Sequence, residues 1–148
     1  MTETSLSEKL NAIEEIKKVK ARYCRFVDTK QWDSYRDLFT DDCIFDGAAS
    51  GMGEITDRDA FVAQARQGLT GCISVHHCHC PEIELTSATT ASGIWAMEDM
   101  LQWPDPAAGQ IARLHGMGHY HERYAKIGDA WKITAWRLER LRVDMETA

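Results

Sequence analysis

The chain has 148 residues, and a domain of that length buries roughly 68–70% of its unfolded surface, so it needs neither disulfides nor a metal to hold a core. A hydrophobic fraction of 44% beside 27% charged residues excludes a disordered chain, and no apolar run is long enough to span a membrane. The formal charge of −6, with 23 acidic residues against 17 scattered basic ones, disfavours nucleic-acid binding.

Met1 to Lys9 lacks the basic start and apolar core of a secretory signal, which predicts a cytoplasmic protein. Cys24, Cys43, Cys72, Cys78 and Cys80 are an odd count without a secreted context and read as free thiols, each a small buried hydrophobe by default. The length predicts a single domain over residues 1–148.

In chain order, Ser7-Glu8 leads into Leu10, Ile13, Ile16, Val19 or Lys20, Tyr23 and Val27, apolar positions recurring at three and four residues, and this predicts one long helix over 6–28. Trp32 to Phe39 follows as a short second helix covering the first. Cys43 to Asp46 reads as a short strand, Gly47 to Glu54 as a turn-rich loop, and Asp57 to about Gly68 as a third helix with Asp57 as its cap. From Cys72 the pattern changes to strands at roughly 72–86, 91–103, 111–126 and 129–143, separated by short polar turns. Helices first and an antiparallel meander afterwards predict an α+β fold with helices on one face of a strongly curved sheet.

Alternation then sorts the strand residues by face. Ser74 to Leu85 concentrates three of the six histidines and two of the five cysteines, with His76, Cys78 and Cys80 on one side and His77 and His79 on the other. Gly93, Trp95, Met97, Asp99 and Leu101 form a mostly apolar row in which Asp99 is the single charge, so it requires a partner or a function. Arg140 shares a face with Trp136 and Leu138, and an arginine in an apolar lining meets a carboxylate, either Asp99 or a substrate acid. His115, His119 and His121 read as an outer row or a subunit contact.

The segments Arg22 to Asp33, Val75-His76 with Pro81 to Ile83, Gly93 to Asp99, Tyr124 to Ile127 and Trp131 to Ile133 together resemble the SnoaL-like branch of the nuclear transport factor 2-like superfamily, over nearly the whole chain and in the right order. The pattern is most similar to that of bile-acid 7-alpha-dehydratase, and more distantly to scytalone dehydratase and hexachlorocyclohexane dehydrochlorinase. The resemblance implies a cone: a curved sheet wrapped around a pocket and closed by the long N-terminal helix. It also implies catalytic roles for Tyr23, Asp28 and His76, and pocket positions for Asp99 and Arg140. Where scytalone dehydratase carries a second tyrosine on the short strand, this chain has Gly47, so that two-tyrosine arrangement is not expected.

Each of these residues alone has a plainer reading: Tyr23 as a core aromatic, Asp28 as a helix-end turn residue, His76 as a satisfied core histidine. Together they point to a cofactor-independent lyase that eliminates water or a similar group from a hydrophobic, polycyclic or steroid-like hydroxy substrate. Asp28 would orient His76 as the base, Tyr23 would polarise a carbonyl or protonate the leaving hydroxide, and Asp99 with Arg140 would orient the substrate. Trp95, Met97, Trp136, Phe26, Leu101 and Phe45 supply an apolar lining. The alternatives are a double-bond isomerase using the same base and a non-catalytic binder of a small hydrophobic molecule. A metal on His76, Cys78 and Cys80, or on His119 and His121, has poor ligand geometry, so neither metal nor cofactor is expected. A homotrimer or homodimer is implied by the resemblance.

Overall fold

A computed structural model describes residues 5–148; Met1–Thr4, the start of the stretch inspected for a leader, lie outside the described residues. Helix α1 runs Leu6–Asp28. Ser5, two residues before the expected Ser7, caps it through a reciprocal box: Glu8 N–H donates to Ser5 Oγ at 3.3 Å and Ser5 N–H donates to Glu8 Oε2 at 2.8 Å. Its inner stripe is Ile16, Val19, Lys20, Tyr23 and Val27, all buried.

Helix α2 spans Trp32–Arg36 and strand β1 spans Phe39–Asp46, so the second helix is shorter and the first strand longer than the sequence pattern predicts. The buried Phe39 takes its place in the sheet, paired with Ile133. The predicted loop contains a 3₁₀ turn at Ala48–Ser50 and a two-residue strand β2, Glu54–Ile55. Helix α3, Arg58–Gly68, is capped by Asp57, whose Oδ1 accepts from the Asp59 and Ala60 N–H groups at 2.8 and 3.1 Å.

Four long strands complete the chain: β3 Ile73–Leu85, β4 Thr90–Gln102, β5 Ile111–Ile127 and β6 Ala130–Thr147, the last running further than predicted. They form an antiparallel meander in one six-stranded sheet of order β2-β1-β6-β5-β4-β3, in which β1 joins β6 in parallel. The β3–β4 register shifts between His79 and Glu82, where Cys80 has φ 42° and Pro81 offers no N–H to the ladder.

The sheet curls around the helices, giving the α+β arrangement that the element order predicts and the cone that the resemblance implies. An aromatic cluster fills the join: Phe39, Phe45 and Phe61 pack with Tyr35 and Trp136, the Phe45 and Phe61 rings stacked with centroids 3.8 Å apart. Fully burying side chains of this kind contributes about 1.5–3 kcal/mol each, so the helical layer is held chiefly by apolar burial. Among the described residues no helix covers the far face of the sheet, which carries the outward histidines.

Candidate active site

Asp28 is the last residue of α1, where the negative end of the helix dipole disfavours a carboxylate. Its surroundings compensate: Oδ2 accepts the backbone N–H of His76 at 2.7 Å, and Oδ1 lies 2.6 Å from His76 Nδ1. An ionised Asp28 would accept from Nδ1–H, the arrangement in which a neutral ring keeps Nε2 as an acceptor. His76 projects from the inward side of β3, and its Nε2 stands 4.0 Å from Asp99 Oδ2, beyond hydrogen-bonding range.

Asp99 is buried on β4 and takes both prongs of the Arg140 guanidinium, Nη1 on Oδ1 at 2.7 Å and Nη2 on Oδ2 at 2.8 Å. Burial opposes the charge of Arg140, but the hydrogen bonds and negative charge of Asp99 outweigh it and hold the guanidinium above its ordinary value. Gly116 on β5 makes room for this pair, and Gly118 for the close approach of the β6 backbone. A Cβ at Gly116 would overlap Arg140 Nη1 and Asp99 Oδ1, and one at Gly118 would overlap the Glu139 carbonyl oxygen.

Tyr23, on the inner face of α1, accepts a hydrogen bond from Trp136 Nε1 at 3.1 Å. The Tyr35 and Tyr120 rings lie 5.1 and 5.6 Å from its own. Burial pushes all three phenols well above their ordinary range, so they remain neutral at any working pH.

A cavity of about 340 Å³ joins these groups. Tyr23, His76, Asp99, Arg140 and Trp136 line it, as do Leu101 and Leu138; Asp28 stands behind His76 and reaches the cavity through it. Trp95, Met97, Phe26 and Phe45 are not among the lining residues. Trp95 lies four residues from Asp99, about 13 Å along the strand, and donates to Tyr124 Oη at 2.8 Å within the core. Met97 lies beneath Arg140, its Sδ 3.8 Å from Nη1. Phe26 sits on the outer shoulder of α1 under Arg25, and Phe45 is one layer behind Phe61. Alternation brings every second side chain of a strand to the inner face, but the cavity occupies only part of that face.

Tyr35, Tyr120, Met52 and Phe61 also line the cavity and were not singled out as candidates from the sequence. Tyr120 was legible as an inward residue of β5, alternating with Gly116 and Gly118. Beside it lies a buried polar cluster. Lys20 Nζ meets Glu122 Oε1 at 2.5 Å and sits 3.7 Å from the centroids of both the Tyr23 and Tyr120 rings. Tyr124 donates to the other oxygen of Glu122.

Two thiols also meet next to the site. Cys24 and Cys78 place their sulfurs 3.6 Å apart, and their shared hydrogen bond lowers the Cys24 thiol to about 7 while Cys78 is driven upward. Of His76, Cys78 and Cys80, His76 is turned to Asp28 and Cys78 to Cys24. Among the described residues, no helix is long and apolar enough to cross a membrane.

The SnoaL-like domain profile matches residues 8–137. Over 137 residues the chain is 28% identical to Probable cyclase FGR4 of Gibberella zeae, covering 85% of this chain and 89% of that protein. Its fold matches a scytalone dehydratase-like protein from Novosphingobium aromaticivorans with a TM-score of 0.85 and 18% identity, over 97% of this chain and 93% of the other. It also matches hexachlorocyclohexane dehydrochlorinase LinA-type3 from Novosphingobium barchaimii LL02, with a TM-score of 0.81 and 14% identity over 96% and 94% of the two chains. At these identities the structural likenesses speak for the fold alone, whereas the profile covers most of the sequence. The chain therefore belongs to the SnoaL-like domain family, within the nuclear transport factor 2-like superfamily.

Proposed function

We propose that the protein is a cofactor-independent lyase that removes water from a hydrophobic hydroxy substrate, with His76 as the base. The observation that carries this reading is the double grip of Asp28 on His76, which fixes the ring among the groups that line the cavity. The names of relatives, a cyclase, a scytalone dehydratase-like protein and a dehydrochlorinase, support a small-molecule enzyme of the lyase or isomerase kind.

In the proposed reaction, His76 Nε2 takes a proton from the carbon next to the one bearing the hydroxyl. The C–H electrons form the new double bond as the C–O bond breaks, and hydroxide departs. Tyr23, Tyr35 and Tyr120 resist ionisation, which suits them to hydrogen-bond donation more than to surrendering a proton. Tyr23 therefore polarises the substrate oxygen, and the imidazolium returns its proton to the leaving hydroxide, so one base serves both steps and the enzyme ends unchanged. Asp99 fixes Arg140, whose remaining N–H donors are available to a substrate oxygen.

The cavity volume of about 340 Å³ lies at the small end of ligand sites, which run from about 300 to 1,000 Å³. It suits a compact polycyclic or steroid-like body held by Leu101, Leu138, Trp136 and the tyrosine rings.

Incubation with a panel of hydroxysteroids and hydroxy-acyl compounds, read by product mass, tests the proposal. The expected product is lighter by one water, and the His76→Ala variant is expected to be folded and inactive. A product of unchanged mass with a moved double bond would assign isomerase chemistry to the same base. A ligand that binds and returns unaltered would make the protein a carrier.

A further inference from the structure

The outer face of the sheet holds a second cluster of titratable groups that the cavity does not use. His77 and His79 leave β3 on the side opposite His76, and Glu98 of β4 lies directly across from His77. Glu98 Oε1 stands 3.7 Å from His77 Nδ1 and 3.5 Å from His79 Nε2. One ligand atom from each of the three residues falls within 4.8 Å of the others.

These separations are too long for good hydrogen bonds, which close at about 2.7–3.2 Å. They match a different geometry: donors at about 2.0–2.2 Å from a tetrahedral ion sit about 3.4 Å from one another. The two separations from Glu98 thus suit donors arranged about a common ion. The second carboxylate oxygen is engaged from behind, since His115 Nε2 of β5 lies 3.2 Å from Glu98 Oε2. A hydrogen bond of that kind orients a ligating carboxylate. Both β3 histidines are about half exposed, 52% and 50%, so an ion can reach them from solvent.

We propose that His77, His79 and Glu98 bind a divalent first-row transition ion of the zinc, nickel or copper class, with His115 orienting Glu98 and a fourth position left to water. Two imidazoles with a carboxylate suit these ions, whereas magnesium and calcium require mostly oxygen donors. The bound ion clips β3 to β4 on the side opposite His76. This is separate from the elimination chemistry, which uses only the inner face.

Calorimetric titration of metal-stripped protein with zinc chloride, paired with cobalt absorption spectra, tests the site. The expected result is one saturable zinc per chain, a tetrahedral cobalt spectrum and no competition from magnesium. His79→Ala and Glu98→Gln should each weaken zinc binding at least tenfold, and His115→Ala by about tenfold, the range expected when an orienting partner is lost. His121→Ala is the control: His121 lies on the same outer face but bonds Glu139 at 2.9 Å, and its loss should leave zinc affinity unchanged. The substituted side chains are exposed or half-buried, so equal melting temperatures in the absence of metal should verify the folds. Absence of saturable binding below about 100 μM zinc, unchanged affinity in either His79→Ala or Glu98→Gln, or an equal loss in His121→Ala would each overturn the assignment.

Discussion

Asp28 holds His76 at two points, the ring Nδ1 at 2.6 Å and the backbone N–H at 2.7 Å, so one carboxylate at the end of a helix fixes both a side chain and the strand that carries it. Asp28→Asn is close to isosteric and tests the electronic part of this arrangement. The amide places a donor against Nδ1, which drives the ring proton to Nε2 and blocks the base. The expected loss in kcat/KM is about 10²–10⁴-fold with the fold retained. Combining Asp28→Asn with His76→Ala should cost no more than His76→Ala alone, because the two act as a unit. Steady-state kinetics on the substrate that emerges from the panel decides this, and additive losses would count against it.

The buried pair of Lys20 and Glu122 makes a stability prediction. Their side chains are 1% and 0% exposed, and removing one partner strands the other charge in the core. Lys20→Met should lower the unfolding free energy by about 3–5 kcal/mol in urea titrations, while Lys20→Met with Glu122→Leu should recover much of that loss. If Lys20→Met is as stable as the parent, the ion pair is not structural.

Gly116 predicts a specific steric effect. Alanine there drives a methyl into Arg140 Nη1 and Asp99 Oδ1, and the bidentate bond between these two opposes their moving apart. Gly116→Ala should cost about 1–3 kcal/mol and reduce turnover more than the melting temperature alone would explain. Turnover equal to the parent's, measured well below melting, would argue that Arg140 need not be held in place.

Cys24 gives a pH prediction. Its folded value near 7 lies below the ordinary 9.0, so the folded state gives up that proton first, and stability should rise between pH 7 and 9. Above 9 the sign reverses, because Cys78 keeps its proton in the fold while an unfolded chain loses both. The Cys78→Ala variant removes the partner, so the melting temperature of the parent relative to the variant should climb from pH 7 to 9. A flat difference across that window would mean that the two thiols do not share a proton.

What the sequence made legible follows from periodicity. The 3.6-residue stripe of α1 placed Tyr23 inward, and the two-residue alternation of β3 set His76 and His77 on opposite faces, with the family resemblance selecting His76. The lone charge in the β4 row was read as needing a partner or a function, and Arg140 is that partner. Spacings remembered by a family supplied the pairing of Asp28 with His76, residues 48 positions apart that no local pattern connects. Lys20 appeared only as an alternative to Val19 in an apolar stripe, because its carboxylate partner lies 102 residues away. Trp95 and Met97 were expected at the cavity wall because alternation reports which face of a strand a residue occupies and carries no information on how far along that face an opening extends. His77 and His79 read as sharing one side of β3, but their convergence on Glu98 depends on the register of β3 with β4.

The parallel pairing of β1 with β6 has a consequence for the order of synthesis. β1 leaves the ribosome long before its sheet partner, since Phe39 pairs with Ile133 and Phe45 with Trp136. Until the last strand emerges, Phe39 and Phe45 lack their neighbours and Asp99 lacks Arg140. Partial chains therefore carry an unclosed sheet and an unneutralised carboxylate, and completion of the sheet and formation of the cavity coincide in the final stretch of translation.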